Sequence, residues 1–418
     1  SLILPASRGF EAAHDASAWA VLWSRLQEEQ GMIRTASALT ALGLVLIAGH
    51  PATAQQPTRS AQHDFRVVTV ADGVINPWSM AWLPGGDMLI TERPGRLRIV
   101  RNGTLLPEPV PGVPEVFAQG QGGLFDVLPH PDFASNRLLY LSYARPKGEG
   151  STTAVIRGRF ENDRLTGIED IFEAVTQGGG HYGGRLAWHP DGFLFVTVGE
   201  RMVPSTGDLE AHPAQDLSNH HGVTIRLHDD GRVPVDNPFV DQDGALPEIW
   251  SYGHRNPQGL AINPTTGDVW INEHGPQGGD ELNLVQPGLN YGWPVIGYGV
   301  NYRSGSAIHA GTHREDIEPP THFWVPSIAT SGLMIYTGTR FPNWQGSFFV
   351  GGLAGQQIAR LTPSVDRPQS IEQEETLTYG IGRVRDVRQG PDGYVYVAIE
   401  DRGGAPSAVV RLDPVPRS

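Results

Sequence analysis

A histidine on a glycine-rich loop is the first residue of this chain whose setting could support catalysis. His181 lies between Gly178-Gly179-Gly180 and Gly183-Gly184, and a strand-like apolar run begins at Leu186. Glycine neighbours let a ring-shaped ligand approach the backbone, and stiff flanking elements hold such a loop in place. Isolated histidines are more often structural or solvated. His181 is therefore a candidate base that needs support from other segments.

A guanidinium and an amide stand together in a second segment. Arg255 and Asn256 precede Pro257-Gln258-Gly259 and another apolar run. Arginine is always charged, and its forked donors suit carboxylates and quinone-like oxygens. The competing interpretation is a turn in which Asn256-Pro257 starts a strand and Arg255 makes a surface ion pair.

Two adjacent carboxylates lie in a third segment. Asp280 and Glu281 follow a glycine-rich stretch that starts at Gly275-Pro276, and Tyr291-Gly292-Trp293-Pro294 comes shortly after. Carboxylate and carbonyl oxygens suit calcium, whereas zinc prefers nitrogen or sulfur ligands. Acidic pairs in loops are also common as plain turn or capping residues. The aromatic residues that follow favour a calcium site beside an aromatic wall.

The composition limits the classes of partner. The chain has 418 residues and a formal net charge of -14, with no Lys/Arg run. Nucleic acids and anionic membranes attract cationic surfaces, so this charge disfavours both as partners. The lack of cysteine excludes thiol catalysis, thiolate metal sites and disulfides. Small neutral ligands and metal cations fit better.

A targeting segment is expected near the start of the chain. Met32 is followed by an arginine, an apolar run at residues 38–48 and the small-residue pattern Ala52-Thr53-Ala54. This order is typical of a secretory signal peptide, and the apolar run is too short to span a membrane. We assign residues 32–54 to a signal peptide and residues 1–31 to an upstream extension outside the mature protein. We therefore expect a periplasmic or secreted protein with no membrane span.

One pattern recurs from about residue 65 onward: an apolar strand, a turn rich in Pro, Asp and Gly, and a second strand of alternating aliphatic residues. Such turns are strong hairpin signals because they need positive φ. We predict an all-β fold, a six-bladed β-propeller of four-stranded antiparallel sheets over residues 61–418, with about 60 residues per blade. A pair of β-sandwiches would not explain the recurrence. The six copies lie at residues 79–90, 125–143, 186–198, 260–272, 333–350 and 387–397.

The predicted propeller lets distant segments share one site, because its loops converge at one end of the central channel.

The residues from about 65 onward resemble the soluble pyrroloquinoline quinone (PQQ) dependent sugar dehydrogenases, most closely the aldose sugar dehydrogenase branch. The motifs that carry the resemblance lie at residues 120–126, 178–184, 253–259, 275–283, 290–294 and 383–387.

The resemblance implies roles for individual side chains. His181 would be the general base, oriented by Glu200 where the family usually has aspartate. Gln121 would help to bind the sugar, and Arg255 with Asn256 would hold the quinone. Other residues would line the cofactor: Tyr302, Ser327, Ile328, Ala329, Arg383 and Arg385, with Trp324 in a stacking wall.

The resemblance also implies calcium. The carbonyls of Gly275 and Pro276 would ligate a calcium ion that also binds PQQ. Asp280, Glu281 and the Tyr291 carbonyl would form a second calcium site.

Three positions depart from the family pattern. The longer acid at Glu200 is expected to hold the histidine ring less firmly than aspartate. Val223 and Ala354 stand where relatives usually carry lysine, and the lysine at the second position commonly contacts PQQ. Loss of a cationic partner should weaken the binding of a tricarboxylate.

These observations together predict an enzyme, a PQQ- and calcium-dependent dehydrogenase that oxidises small-molecule aldoses at C1 to aldonolactones. Electrons would pass to a soluble acceptor, and the protein would be a monomer or homodimer. Histidine suits proton removal because it is mostly neutral at pH 7, and calcium with Arg255 suits charge stabilisation on the quinone.

Two alternatives stay open. A calcium-dependent propeller lactonase would need several side-chain ligands converging on one ion at the channel centre. A non-catalytic propeller that binds a glycan or a partner protein would be consistent with the lysines missing at Val223 and Ala354.

Overall fold

The computed structural model describes residues 56–417, and the predicted upstream extension and signal peptide lie outside them. The described residues form strands joined by turns, with one short helix, α1 (Phe133–Asn136), and single 3-10 turns at Pro213–Gln215 and Pro342–Trp344. No helix within this part of the chain has the length and apolar character needed to cross a bilayer.

The strands form six antiparallel sheets of four strands each. The first five sheets take their strands in chain order. The first sheet has β2 (Pro77–Trp82), β3 (Met88–Glu92), β4 (Arg96–Arg101) and β5 (Thr104–Leu105), and the second has β6 (Leu124–Pro129), β7 (Leu138–Lys147), β8 (Gly150–Glu161) and β9 (Arg164–Glu173). The third sheet has β10 (Leu186–Trp188), β11 (Leu194–Val198), β12 (Val223–Leu227) and β13 (Ile249–Ser251), and the fourth has β14 (Pro257–Ile262), β15 (Val269–Glu273), β16 (Asp280–Val285) and β17 (His322–Trp324). The fifth sheet has β18 (Thr330–Ile335), β19 (Phe348–Gly352), β20 (Gln357–Pro363) and β21 (Ile371–Tyr379).

The sixth sheet joins the two ends of the described chain. It consists of β22 (Arg383–Gln389), β23 (Val395–Glu400), β24 (Pro406–Val415) and, as its outermost strand, β1 (Asp64–Ile75). β1 pairs with β24 from Asp64 opposite Val415 to Ile75 opposite Pro406. The N-terminal strand thus completes the last sheet and closes the ring.

The first strands of the sheets contact one another in a closed circuit: β2, β6, β10, β14, β18, β22 and back to β2. This circuit confirms the predicted six-bladed propeller. We number the blades 1 to 6, starting from the sheet that begins with β2. Apolar side chains fill the spaces between neighbouring blades, as in the cluster that includes Tyr140, Leu186 and Ile225.

The recurring hairpin turn has a clear local cause. Between β10 and β11, Gly192 has φ of 86°. His189 N donates to Phe193 O at 2.9 Å, and Gly192 N donates to His189 O at 2.9 Å. Only glycine adopts this φ without strain, which explains why the turn signal marked the blades in the sequence.

Charged side chains at the inner strands pair across blades. Arg185, just before β10, lies 3.1 Å from the carboxylate of Asp386 in β22. Arg388 bridges Asp386 at 2.9 Å and Asp126 of β6 at 3.1 Å. Because both carboxylates are buried, these pairings compensate charges that would otherwise be costly to remove from water.

Two sets of loops lie at the same end of the ring. One set precedes the inner strand of each blade, and the other follows the second strand of each blade. Pro257 pairs with Glu273 in blade 4, Pro77 with Glu92 in blade 1, and Arg383 with Glu400 in blade 6. We call this end the mouth face. It gathers the loops that hold the residues singled out in the sequence.

Candidate active site

His181 and Glu200 form a buried pair on the mouth face of blade 3. The imidazole Nδ1 lies 2.6 Å from Glu200 Oε1. The second carboxylate oxygen accepts a hydrogen bond from Val203 N at 2.8 Å. This arrangement favours the tautomer in which Nδ1 carries the hydrogen, because the carboxylate is an acceptor. The Nε2 lone pair is then available to accept a proton.

The surroundings of His181 favour the neutral form of its ring. The side chain is largely buried, with the residue 7% exposed. Burial lowers the pKa of His181, the hydrogen bond that the ring donates to Glu200 opposes this shift, and the positive charge of Arg255 adds to it. The net direction is a pKa below the ordinary histidine value.

The backbone at His181 is held in an unusual conformation, with φ of 41°. Its N–H donates to Gln121 Oε1 at 2.9 Å, which joins the two candidate residues directly. A Cβ at Gly199 would lie 2.2 Å from His181 O, so this neighbour must be glycine. A strained residue fixed by its surroundings is typical of functional sites.

Arg201 holds the glycine loop in front of His181. Its guanidinium donates to Gly178 O at 2.6 Å and Gly180 O at 2.5 Å. It also stacks 3.7 Å from the ring centroid of Tyr182. Arg201 was not predicted from the sequence, because its partners are backbone carbonyls that leave no sequence signal.

Arg255 and Asn256 connect blade 4 to this loop. Arg255 Nη1 donates to Gly275 O at 2.6 Å and to His274 O at 3.1 Å. Asn256 Oδ1 accepts from Gly183 N at 3.2 Å. Glu200 N donates to Arg255 O at 2.8 Å. The histidine, glutamate and arginine predicted from distant segments therefore meet at one place.

Asp280 and Glu281 point in different directions, because adjacent side chains of a strand lie on opposite faces. Asp280 accepts hydrogen bonds from Gly275 N at 3.0 Å, Ser327 Oγ at 2.6 Å and Thr330 N at 3.2 Å. Glu281 instead lines a small cavity on the other side. The structure does not bring these two carboxylates to one point.

The cavity beside Glu281 is lined by two glutamates and the Gly275-Pro276 segment. It has about 20 Å³ of room, enough for one water molecule or an ion of similar size. Burial and the negative charge of Glu273 raise the pKa of Glu281 well above its ordinary value. The lining includes Glu273, Glu281, Gly275, Pro276 and Tyr291. Glu273, at the end of β15, was not predicted, because its place depends on strand register.

The predicted cofactor-lining residues of blade 5 form a turn beside this region. Ser327 binds Asp280, and Ala329 has φ of 53°. Ile328 O accepts from Ala354 N and Gly355 N at 3.0 Å each. Tyr302 is 60% exposed, and its hydroxyl lies 3.5 Å from Gly275 O. These residues are therefore gathered on the mouth face around Arg255 and Gly275.

Arg383 and Arg385 share one buried carboxylate. Arg383 Nε lies 3.0 Å and Arg385 Nε 2.8 Å from the two oxygens of Glu400. Although burial opposes the shift, the positive charges of Arg385 and Arg383 lower the pKa of Glu400 to about 2. Arg385 also reaches Gln258 Oε1 at 3.2 Å, which ties blade 6 to blade 4.

Three other residues from the sequence analysis have different surroundings. Trp324 donates to Glu374 Oε1 at 2.7 Å and packs in the core between blades 4 and 5. This position differs from the stacking wall that was expected for it. Val223 is buried among apolar side chains of blades 2 and 3. Ala354 is exposed in the loop after β19.

Comparison with known proteins shows the same fold and close sequence similarity. The aldose sugar dehydrogenase YliI of Escherichia coli K12 is 42% identical over 357 residues, which cover 82% of this chain and 92% of the relative. A crystal structure of a glucose dehydrogenase superposes with a TM-score of 0.77 at 44% identity, covering 84% of this chain and all of the other.

A cofactor is part of one related structure. The PQQ-bound form of an aldose sugar dehydrogenase from Streptomyces coelicolor superposes with a TM-score of 0.67 at 27% identity, covering 84% of this chain and 98% of the other. The family model described as glucose/sorbosone dehydrogenase matches residues 74–411. The chain belongs to this family of oxidoreductases.

Proposed function

We propose that this enzyme oxidises aldose sugars at C1 to aldonolactones, with PQQ as the hydride acceptor and calcium bound beside it. The observation that carries the proposal is the buried His181–Glu200 pair, 2.6 Å apart and adjacent to Arg255 on the mouth face. A neutral imidazole, an orienting carboxylate and a guanidinium are the groups that such an oxidation requires.

The chain's own residues handle the proton. The C1 hydroxyl of the sugar gives its proton to Nε2 of His181 as the C–H hydride leaves C1 and the C=O bond of the lactone forms. Glu200 stabilises the imidazolium that results and holds the ring in position. Gln121, bonded to the backbone of His181, lies where it can orient the sugar.

The residues present fit an anionic quinone. When bound, PQQ supplies the two-electron acceptor for the hydride. Arg255, Arg383 and Arg385 offer positive charge to its carboxylates and oxygens. Arg255 Nε is a buried donor with no partner in the described part of the chain, which leaves it free for a ligand.

The residues also fit a hard cation. Glu273 and Glu281 line one small cavity with the Gly275-Pro276 segment and Tyr291. Two carboxylates that repel each other in a buried space are stabilised by a divalent ion, and calcium accepts both carboxylate and carbonyl oxygens. Asp280, bound to Ser327 and Thr330, would support the calcium loop from outside.

The test is reconstitution of the apo-enzyme with PQQ and calcium, followed by dye reduction with glucose and other aldoses. We expect sugar-dependent turnover that needs both additions, and lactone as the first product. Sugar-independent dye reduction, or stoichiometric PQQ binding without turnover on any aldose, would contradict the proposal.

The lactonase alternative makes a different demand on the channel centre. The buried carboxylates of the inner strands, Asp126 and Asp386, are already paired with Arg185 and Arg388. Within residues 56–417 no three His, Asp or Glu side chains are grouped to hold a metal. Hydrolysis of a lactone by calcium-loaded, PQQ-free protein would favour that alternative.

We also propose that the mature protein is exported. The support is the sequence pattern of residues 32–54. N-terminal sequencing of protein from the native host should give a start near Gln55, and a start upstream of Met32 would contradict export by this signal.

A further inference from the structure

Positive charge exceeds negative charge on the mouth face where blades 6 and 1 meet. Arg383 and Arg385 already share the carboxylate of Glu400. A third arginine, Arg93, follows β3 of blade 1 directly. β2 of that blade packs against β22 and β23, so Arg93 and Glu400 leave neighbouring blades at the same end.

The backbone of Arg93 is firmly placed. Its N–H donates to Asn76 O at 2.9 Å, and its carbonyl accepts from Leu124 N at 3.0 Å. A Cβ on Gly123 would lie 2.1 Å from the Arg93 carbonyl oxygen, so the two loops are in close contact. The side chain is therefore anchored at its base between blades 1 and 2.

The guanidinium of Arg93 has no carboxylate of its own. It donates to Gly120 O at 3.2 Å, and among residues 56–417 it forms no ion pair. Burial and the positive charges of Arg385 and Arg383 lower the pKa of Arg93, while Glu400 opposes this shift. Arg93 thus adds a third guanidinium to the two that share Glu400, an excess of two positive charges over that carboxylate.

The position of Arg93 connects this charge to the candidate active site. Gly120, which accepts its hydrogen bond, is followed by Gln121, whose side chain bonds His181 N at 2.9 Å. A ligand between the three arginines would therefore lie next to the proposed base. A planar polycarboxylate matches the forked donors and the excess charge.

We propose that Arg93, Arg383 and Arg385 form one carboxylate-binding cluster, in which Arg93 supplies the guanidinium that no protein carboxylate neutralises. In the dehydrogenase proposed above the ligand would be PQQ, and to that extent the inference rests on the proposed function. Arg93 would then provide a cationic contact from blade 1. The Ala354 loop lies on the other side of Arg383.

The experiment measures ligand binding by calorimetry with two probes, PQQ with calcium and benzene-1,3,5-tricarboxylate alone. Arg93→Gln should weaken both at least about tenfold, the scale of one lost charge-assisted hydrogen bond. Arg93→Lys, which keeps the charge but loses the fork, should lose less. Arg164→Gln removes an exposed arginine from the outer strand β9 and should change neither affinity.

The melting temperature of the ligand-free protein gives a second readout. Arg93→Gln should leave it unchanged or raise it, because the repulsion among the arginines falls. If this variant does not fold, the wild-type protein still decides: its affinity for the tricarboxylate should fall steeply as NaCl rises.

The outcomes separate the two proposals. Any of three results would overturn the proposed cluster: wild-type affinity of Arg93→Gln for both probes, no tricarboxylate binding by the wild type, or tricarboxylate binding that is insensitive to salt. Binding of the tricarboxylate that depends on Arg93, without any binding of PQQ, would leave the cluster standing and remove the proposed cofactor.

Discussion

Glu200 contacts His181 through one carboxylate oxygen and is itself anchored through the other. One oxygen meets Nδ1 at 2.6 Å and the other accepts Val203 N at 2.8 Å. The longer side chain was expected to hold the ring less firmly than an aspartate would. Its second anchor limits the rotation that an extra methylene would otherwise permit. The pair therefore acts as a single oriented base.

Removal of the base should separate binding from chemistry. We expect His181→Ala to bind PQQ with nearly wild-type affinity but to lose at least about two orders of magnitude in kcat, the scale of general-base catalysis. Stopped-flow and steady-state dye reduction would measure this loss. His313→Ala, which removes an exposed histidine, is the control. Near-normal turnover in His181→Ala would remove the residue from its role.

The pH profile should report the environment of His181. The residue must be neutral to accept a proton, and its pKa is lowered from 6.5. The acid limb of kcat/KM should therefore lie below pH 6.5. Because the Glu200 hydrogen bond raises this pKa, Glu200→Gln should shift the limb to still lower pH while kcat falls. A shift to higher pH would contradict the assignment.

At this scale the sequence predicted side-chain identity better than side-chain direction. The structure brings His181, Glu200, Arg255 and Asn256 together, because their loops converge at one end of the ring. Their roles stay predictions. Arg201 could not be predicted, because its bonds to Gly178 and Gly180 involve carbonyls that every residue has.

Strand alternation decides the surroundings of the acidic residues in blade 4. Asp280 and Glu281 are neighbours in β16 and so face opposite sides, whereas Glu273 of β15 lies directly opposite Glu281. This partner could not be chosen from the sequence, since register depends on which residues pair across strands. The same dependence explains why Trp324, in β17, lies in the core.

Calcium should stabilise this pair of strands. We expect calcium to raise the melting temperature of the wild type, because the ion binds only the folded protein. Glu281→Gln should melt higher than the wild type without calcium, since it loses the repulsion from Glu273, and should gain less when calcium is added. Differential scanning calorimetry, with the exposed Glu149→Gln as control, would measure both effects. An unchanged calcium response in Glu281→Gln would contradict the site.

The glycine loop before β10 should depend on Arg201. Arg201→Met leaves the carbonyls of Gly178 and Gly180 without their donor, which costs about 1–3 kcal/mol for a buried group. We expect the free energy of unfolding to fall by that amount and amide exchange in residues 178–184 to quicken. Arg164→Met is the matched control on an exposed strand. Unchanged exchange in the loop would show that the glycines are held by other contacts.

The propeller was predictable as a whole because its signals are local and repeated. Each turn such as His189 to Phe193 needs a positive φ at glycine, and the sequence shows that requirement directly. The closure of the ring was not predictable in the same way. It depends on β1 pairing with β24, a contact between the two ends of the described chain.

Closure by β1 should be essential to cooperative folding. Deletion of residues 56–75 would remove the outermost strand of blade 6 and expose the edge of β24. We expect the deletion variant to lose its single sharp melting transition and to self-associate. Calorimetry and size-exclusion chromatography would detect this. A monomer with an unchanged transition would show that the sixth blade is stable with three strands.

The ion pairs among Asp126, Arg388, Asp386 and Arg185 connect the first strands of blades 2 and 6 with the residue before β10 in blade 3. In the proposed dehydrogenase, the sugar and the electron acceptor would both reach the cofactor from the mouth face, where the candidate residues lie. Each turnover would then consist of two half-reactions, the first product departing before the second reactant arrives. Two kinetic results would indicate these alternating half-reactions. Double-reciprocal plots would give parallel lines, and the two reactants would compete with each other at high concentrations.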